Sequence, residues 1–360
     1  MLCNSQHSIL VDWLSSGSKA IVNVSVDIVK STEAAAIAAF DWIGSGQKEQ
    51  ADKVATKAMK EALLRQDFAG RVVMGEGKKD KSFGIFDGEV VGKEADIWTK
   101  NTSRYRQLYG DKPITWHDVA VDPIEGTTPT VTSGPEAISA IAVGTKGSMF
   151  HTEHFYMNKI VYGNKIKRKT ELSLSNPLEE NLRLASEATR KPISKLMVCV
   201  LNRPRHRKII HKLRSLGVRI KLLQDCDIVG AVAACLPDSN VDFLYGIGGS
   251  PETVISTAAI KTLGGGIEAQ IYDQDLTGNL DPVFSHGSEE WYAVGDIIPS
   301  RQLISGTCAF ASTGITHGSI LRGVRTVGSG LFTNSVFMKS DEGCIRWIET
   351  YHNHYNRRKR

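Results

Sequence analysis

The segment with the clearest chemical potential is DVAVDPIEGTT, residues 118–128. An apolar run predicts a strand that ends at Asp122, Pro123 then turns the chain, and Glu125 follows three residues after Asp122. Thr127 adds a hydroxyl group to the same small volume. Clustered carboxylates repel each other unless a cation lies between them, and hard oxygen ligands suit Mg²⁺ or Mn²⁺. The segment is therefore compatible with a divalent-metal site, although a DPxE sequence by itself is more typical of an ordinary Asp-Pro turn with an exposed glutamate.

Three further acids stand in other elements. Asp52 comes four residues after Lys48 on a predicted helix, so both side chains project from one face. Glu76 lies between two glycines after the apolar run at 71–74, and Glu252 lies in a glycine- and proline-containing turn after another apolar run. Each of these acids alone is typical of a solvated surface, but a charge beside glycines at the end of a buried strand has no local reason to be there. Their presence in three other elements shifts the interpretation of the DPIE segment towards a metal site.

The elements that must position these side chains are those of an α/β protein. From about residue 195, strand and helix patterns alternate three times, which predicts parallel strands with right-handed crossovers. Ligands of such sheets bind beyond the carboxyl ends of the strands, where the polar clusters fall. A junction between two halves is expected near 150–165. The predicted strands are 71–74, 117–121, 137–144, 196–201, 219–224, 241–248, 304–312 and 332–338, and the predicted helices are 33–44, 48–65, 206–216, 228–235 and 253–263.

Composition bounds the class of protein. The 360 residues predict two domains or one large α/β unit, and 41% hydrophobic with 23% charged residues is ordinary for a globular chain. A net charge of +5 is too small to indicate nucleic-acid binding, and no apolar run approaches the ~20 residues of a membrane span. Six isolated cysteines predict free thiols in a reducing compartment.

The ordered set of motifs resembles the class II fructose-1,6-bisphosphatase family, whose cyanobacterial members also hydrolyse sedoheptulose 1,7-bisphosphate. The resemblance extends over nearly the whole chain, from about residue 25 to 345. DPIEGT alone is moderately specific, whereas the complete series is highly specific. The matching segments are TEAAAIAAFDWIGSGQKEQAD (32–52), VVMGEGKKD (72–80), DVAVDPIEGT (118–127), FYMNK (155–159), LNRPRH (201–206), LLQDCDIVGAV (222–232), GIGGSPETVISTAAIKTLGG (246–265) and STGITHG (312–318).

The resemblance implies a layered α-β-α-β-α sandwich of the lithium-sensitive sugar-phosphate phosphatase type. It further implies an N-terminal extension at 1–25 and a metal-binding phosphatase subdomain at 26–155. A sugar-phosphate-binding α/β subdomain would follow at 156–345, with its last strands returning to the first subdomain, and a basic tail would close the chain at 346–360.

The resemblance also assigns roles by position. The implied metal ligands, for Mg²⁺ or Mn²⁺, are Asp52, Glu76, Asp122, Glu125 and Glu252. Thr127 is expected to orient the attacking water, with Lys48 and Asp80 around the reacting phosphate. The residues expected to hold the sugar and its second phosphate are Tyr156, Arg203, Arg205, Asp225 and Asp227.

The implied function is metal-dependent hydrolysis of the 1-phosphate of fructose 1,6-bisphosphate, and of sedoheptulose 1,7-bisphosphate as a second substrate, in gluconeogenesis or the Calvin cycle. The expected partner is therefore a small sugar bisphosphate, with neither nucleic acid nor a membrane involved. The expected assembly is a homodimer or homotetramer. The expected location is the cytoplasm, with a plastid as the open alternative.

Several departures from the family pattern leave two alternatives. Lys78 stands where the family usually has an acid after its GEG turn, Cys226 replaces the usual glycine of a DGD motif, and His154 precedes the FYM triplet in place of an acid. These changes motivate a phosphatase that acts on another small sugar or inositol phosphate. They also motivate a non-catalytic protein that binds a sugar phosphate.

Overall fold

The computed structural model describes residues 22–75, 84–152, 155–272 and 295–353. Within these residues the strands are β1 Ala69–Met74, β2 Val90–Val91, β3 Trp116–Glu125, β4 Ile138–Thr145, β5 Tyr156–Tyr162, β6 Met197–Leu201, β7 Arg219–Leu223, β8 Phe243–Gly249, β9 Gly266–Tyr272, β10 Ile297–Pro299, β11 Cys308–Gly314, β12 Arg325–Val327, β13 Gly330–Lys339 and β14 Cys344–His352.

The α-helices of the same residues are α1 Val29–Phe40, α2 Lys48–Leu63, α3 Lys93–Lys100, α4 Thr102–Tyr109, α5 Thr127–Thr132, α6 Asn164–Lys167, α7 Leu178–Thr189, α8 Arg207–Ser215, α9 Asp227–Cys235, α10 Ser250–Thr262 and α11 Ser300–Leu303. Short 3₁₀ turns lie at Val26–Ile28, Ile193–Lys195 and Pro204–His206.

Two mixed sheets divide the strands between them. The first has the order β12-β13-β11-β4-β3-β1-β2, with β14 also paired to β13. In it β1 and β3 run parallel, whereas the pairs β3–β4, β4–β11 and β11–β13 are antiparallel. The second sheet has the order β10-β9-β5-β8-β6-β7. Its strands β7, β6 and β8 run parallel, as the three-fold strand–helix alternation predicted.

Three apolar cores show that the sheets and helices stack in five layers. In β3, the neighbouring residues Val121 and Ala120 face opposite sides of the sheet. Val121 packs in a core with α1 and α2, and Ala120 packs in a central core with α9, α10 and the second sheet. In β5, Met157 faces the central core and Ile160 faces a third core with α7 and α8. The order is α-β-α-β-α, which confirms the predicted fold class.

Two stretches differ from their expected form. The expected junction at 150–165 contains β5, which lies between β8 and β9 in the interior of the second sheet. The chain passes between the sheets after β4 and before β5, and the division into subdomains at 155 and 156 stays a prediction.

The expected tail from 346 begins instead within β14, which pairs along the whole length of β13. Strand β14 lies at the edge of the sheet and mixes apolar with charged residues, so its sequence resembles that of a polar tail.

The thiol prediction is confirmed for the five cysteines that the structure describes: Cys199, Cys226, Cys235, Cys308 and Cys344 are free, and the first four are buried. No helix among the described residues is long and apolar enough to cross a membrane.

Candidate active site

An irregularity in β3 positions the two acids of the DPIE segment. Asp122 pairs with Ala140 of β4 and Glu125 with Ile138, so three steps along β3 oppose two along β4. Such a bulge bends a strand and re-aims its side chains. The sequence predicted that the strand would stop before a turn at Pro123, and this was wrong. The strand continues to Glu125 because the bulge tolerates a residue that donates no ladder hydrogen bond.

Glu252 reaches the same place from the first turn of α10. One carboxylate oxygen from each of Asp122, Glu125 and Glu252 lies within 4.8 Å of the other two, and we call these three residues the metal-side cluster. Gly249 makes room for the glutamate, since a Cβ atom there would come within 1.7 Å of Glu252 Oε2. Three of the five predicted metal ligands thus converge from two elements.

Burial and the charges of neighbouring acids disfavour the charged forms of Glu125 and Glu252. Burial raises the pKa of Glu125 well above its usual range, and the charges of Glu252 and Asp122 raise it further. Burial, followed by the charge of Asp227, raises the pKa of Glu252 to about 7. Among the described residues, no group hydrogen-bonds the buried Oε2 of Glu252. A divalent cation would satisfy that oxygen and relieve the repulsion, so the donor set fits Mg²⁺ or Mn²⁺.

Asp52 is attached to the predicted water-orienting threonine. It lies outside the metal-side cluster, and its Oδ1 accepts a hydrogen bond of 2.9 Å from Thr127 Oγ1. One turn earlier on α2, Lys48 Nζ donates to Thr128 Oγ1 at 2.9 Å. The shared helix face that the sequence predicted for Lys48 and Asp52 therefore packs on the start of α5. Glu76 and Asp80, and the divergent Lys78 and His154, lie outside the described residues.

The predicted sugar-binding residues lie at the carboxyl ends of the parallel strands. Arg203 Nη2 forms an ion pair of 2.5 Å with Asp225 Oδ1. Arg205 donates to the carbonyl oxygen of Ile247 through Nε at 3.1 Å and Nη2 at 2.9 Å. Its guanidinium carbon lies 4.9 Å from the centre of the Tyr156 ring, a cation–π contact. The segments 202–206 and 224–227, which we call the sugar-side loops, are therefore held by internal pairs.

The DCD segment joins the two halves of the site. Asp227 begins α9 and is buried in an ion pair of 2.6 Å with Lys159. Cys226 has a φ of 67°, the left-handed region that favours glycine. Its Sγ donates to the carbonyl oxygen of Glu125 at 3.2 Å, and a Cβ atom on Gly126 would lie 2.3 Å from that sulfur. Through Cys226, a sugar-side loop thus directly contacts the backbone of Glu125 in the metal-side cluster.

Two residues of this site escaped sequence reasoning. Lys159 is on β5, a strand that was not predicted. The sequence analysis therefore did not show that its side chain lies on the same buried face of the strand as Met157. His206 is buried and bridges β6 to β8, because its Nδ1 bonds the carbonyl oxygen of Leu201 at 2.8 Å and its Nε2 accepts from the Ile247 N–H at 2.7 Å. The only available signal for His206 was its place after a strand end in LNRPRH.

Comparison with known proteins agrees with this geometry. The family model described as bacterial fructose-1,6-bisphosphatase, glpX-encoded, matches residues 22–352. The chain is 35% identical over 339 residues to the D-fructose 1,6-bisphosphatase class 2/sedoheptulose 1,7-bisphosphatase of Trichormus variabilis, covering 91% of this chain and 95% of that protein. The Synechocystis protein with the same description is 33% identical over the same shares. Fructose-1,6-bisphosphatase 1 class 2 of Escherichia coli is 34% identical over 343 residues, again covering 91% and 95%.

Proposed function

The chain belongs to the glpX-encoded family of bacterial fructose-1,6-bisphosphatases and is a phosphoric monoester hydrolase, and from this premise we propose that it removes the 1-phosphate of fructose 1,6-bisphosphate in a metal-dependent reaction. The products are fructose 6-phosphate and orthophosphate. Sedoheptulose 1,7-bisphosphate is the proposed second substrate, since two of the relatives are described as acting on both.

The observation that carries the proposal is the convergence of Asp122, Glu125 and Glu252 within 4.8 Å. Phosphate monoesters hydrolyse extremely slowly in water, so a catalyst must neutralise the charge on the phosphoryl oxygens and position the attacking water. A divalent cation held by these carboxylates supplies charge neutralisation and lowers the pKa of a bound water. Mg²⁺ and Mn²⁺ are the proposed cations.

Thr127 and Asp52 are proposed to orient the attacking water. Thr127 Oγ1 donates its proton to Asp52 Oδ1 at 2.9 Å, which leaves the hydroxyl lone pairs available to accept a hydrogen bond from water. Asp52 therefore fixes the direction in which the threonine accepts. Lys48, whose ammonium lies at the same end of α5, is placed to meet a phosphate oxygen.

The sugar-side loops are proposed to hold the rest of the substrate. Arg203 and Arg205 offer guanidinium groups for the second phosphate, because their planar forks match phosphate oxygens. Tyr156 lies against Arg205 and presents a hydroxyl and an apolar ring face to a sugar. Asp225 and Asp227 offer carboxylate oxygens for sugar hydroxyl groups.

The finer assignments follow from the family alone. We place the reaction in gluconeogenesis or the Calvin cycle and the protein in the cytoplasm, as a homodimer or homotetramer.

The test is phosphate release from fructose 1,6-bisphosphate by the purified protein with Mg²⁺ or Mn²⁺, against EDTA, with sedoheptulose 1,7-bisphosphate in parallel. Asp122→Asn should abolish release. Asp118→Asn, on the same strand, is the matched control, because Asp118 Oδ2 accepts from the N–H groups of Ser148 and Met149 and does not belong to the metal-side cluster. Release that survives Asp122→Asn, or that needs no metal, would contradict the proposal.

A further inference from the structure

Lys159 is the one buried lysine or arginine among the residues that the structure describes, with 1% of its surface exposed. Its ammonium lies 2.6 Å from Asp227 Oδ2 and donates to Thr253 Oγ1 at 2.9 Å. A buried ammonium is costly unless it is paired and hydrogen-bonded, and the two contacts meet that requirement. The position is therefore built for a charge.

The partners of Lys159 belong to α9 and α10, the two helices whose first turns carry Asp227 and Glu252. Asp227 is the first residue of α9, and Thr253 directly follows Glu252 in the first turn of α10. The Thr253 hydroxyl donates to the carbonyl oxygen of Gly249 at 2.7 Å, so it accepts from Lys159. A Cβ atom at Gly248 would come within 1.6 Å of Asp227 Oδ2, so the backbone there approaches the ion pair closely. The ammonium thus ties together a sugar-side acid and the turn that carries a metal-side acid.

The charge of Lys159 also acts on the metal-side cluster. Asp227 and Lys159 influence the carboxylate of Glu252 in opposite directions, the first disfavouring its ionised form and the second favouring it. Among the described residues, three other cations of the site have partners of their own: Arg203 pairs with Asp225, Arg205 is bound to the Ile247 carbonyl oxygen, and Lys48 donates to Thr128. Within the part of the chain that the structure describes, Lys159 is therefore the buried positive charge that contacts both the Asp227 carboxylate and the helix turn carrying Glu252.

Resting on the proposed function, we propose that Lys159 is a positioning residue and the internal counter-charge of the site. It holds the Asp227 carboxylate where the sugar binds, and its positive charge limits how tightly the metal-side cluster binds a cation. Removal of the ammonium should consequently have two opposite effects, tighter cation binding and weaker sugar binding. Loss of structure alone would weaken both.

The test compares Lys159→Met, Asp227→Asn and the double variant with the wild type. Mn²⁺ binding is measured by calorimetry on metal-free protein without substrate, and KM and kcat for fructose 1,6-bisphosphate are measured separately. Lys159→Met should bind Mn²⁺ about tenfold more tightly, and Asp227→Asn more weakly, because each changes the local charge by one unit. The double variant restores the net charge and should return close to wild-type Mn²⁺ affinity, while its KM stays raised by at least about tenfold.

The double variant keeps the test decisive if Lys159→Met does not fold, since it buries no unpaired charge. Mn²⁺ affinity that falls in all three variants, or a KM unchanged in all three, would overturn the proposal. Absence of Mn²⁺ binding by the wild type would overturn both this proposal and the metal site. The predicted order of Mn²⁺ affinities without hydrolysis of fructose 1,6-bisphosphate would support the role of Lys159 and refute only the substrate assignment.

Discussion

The metal-side cluster and the sugar-side loops both contain acids but balance their charges differently. In the cluster, one oxygen of each of the three carboxylates lies within 4.8 Å of the other two, and the charges of Glu252 and Asp122 raise the pKa of Glu125. Glu252 Oε2 has no hydrogen bond among the described residues. In the sugar-side loops, Arg203 pairs with Asp225, and Arg205 is held by a backbone carbonyl and the Tyr156 ring. Asp227 is paired with Lys159 through Oδ2, although its Oδ1 has no hydrogen bond within the described ranges.

The two regions are therefore prepared for binding in different ways. Charges that already have partners keep a loop in one geometry and need no ligand to do so. Carboxylates that repel one another remain destabilising until a cation joins them. The sugar side is therefore preorganised by the chain itself, whereas the metal side is completed by what it binds. Each prediction below tests one half of this comparison.

The largest effect is expected for Glu252→Gln, which removes a charge from the cluster. Turnover of fructose 1,6-bisphosphate should fall about a thousandfold, or about 4 kcal/mol of transition-state stabilisation. In EDTA the variant should nevertheless unfold at a higher temperature than the wild type, because one of the mutually repelling buried carboxylates is neutral. Steady-state kinetics and thermal unfolding check the two expectations. A lower melting temperature without metal would contradict the repulsion argument.

The next effect tests how firmly the sugar side is preorganised. Burial lowers the pKa of His206 to about 4, from 6.5, and the neighbouring Arg205 adds to the shift. Below pH 6.5 His206 is protonated in the unfolded chain but stays neutral in the folded protein. The free energy of unfolding should therefore fall as the pH drops towards 4. The loss reaches about 3 kcal/mol at the lower limit and is absent above pH 6.5.

Denaturant unfolding at several pH values measures this slope. His206→Gln is the matched variant, because its amide can donate to Leu201 and accept from Ile247 without titrating. Equal slopes in the two proteins between pH 6.5 and 4 would show that His206 is not held neutral.

A smaller effect separates binding from chemistry on the sugar side. Arg205→Ala removes the bonds to Ile247 and the contact with Tyr156, so KM should rise about tenfold while kcat changes little. Arg207→Ala, at the exposed first position of α8, is the control and should leave both constants near wild type. A fall in kcat with an unchanged KM would assign Arg205 to the metal side of the comparison.

The smallest effect lies where the two halves touch. At the φ of 67° that Cys226 adopts, a side chain costs about 1 kcal/mol relative to glycine. Cys226→Ala keeps that strain and loses the Sγ contact with Glu125, whereas Cys226→Gly loses both the strain and the contact. The glycine variant should therefore be about 1 kcal/mol more stable than the alanine variant. Equal unfolding free energies would mean that the loop relaxes freely.

The sequence predicted those elements of the fold that have a recognisable pattern of neighbouring residues. The parallel strands β6, β7 and β8 were found because each is a short, mostly apolar run followed by a turn and a helical pattern. The strand β5 was missed because its buried face carries Lys159, which interrupts the apolar alternation. The edge strand β14 was missed because edge strands are polar and its exposed residues resemble a solvated tail.

The candidate site divides in the same way. Asp122 and Glu125 were predicted to lie together from the DPIE segment, whereas Glu252 was added to them by the resemblance to the family. The structure brings these three together. The bulge that lets β3 continue through Pro123 depends on its pairing with β4, which no local pattern records. The roles of His206 and Lys159 depend on partners 41 and 94 residues away, Ile247 and Thr253, so only the folded chain reveals them.

The most direct test of the account is a Mn²⁺ titration of metal-free protein in which thermal unfolding and phosphate release from fructose 1,6-bisphosphate are measured on the same samples. The account predicts that the melting temperature and the rate of phosphate release rise over the same range of Mn²⁺ concentration. At a hundredfold excess of Mn²⁺ over Kd, the folded protein should gain about 2.7 kcal/mol of stability. Phosphate release in EDTA, or a melting temperature that Mn²⁺ leaves unchanged, would contradict the claim that the metal-side cluster is completed by a cation.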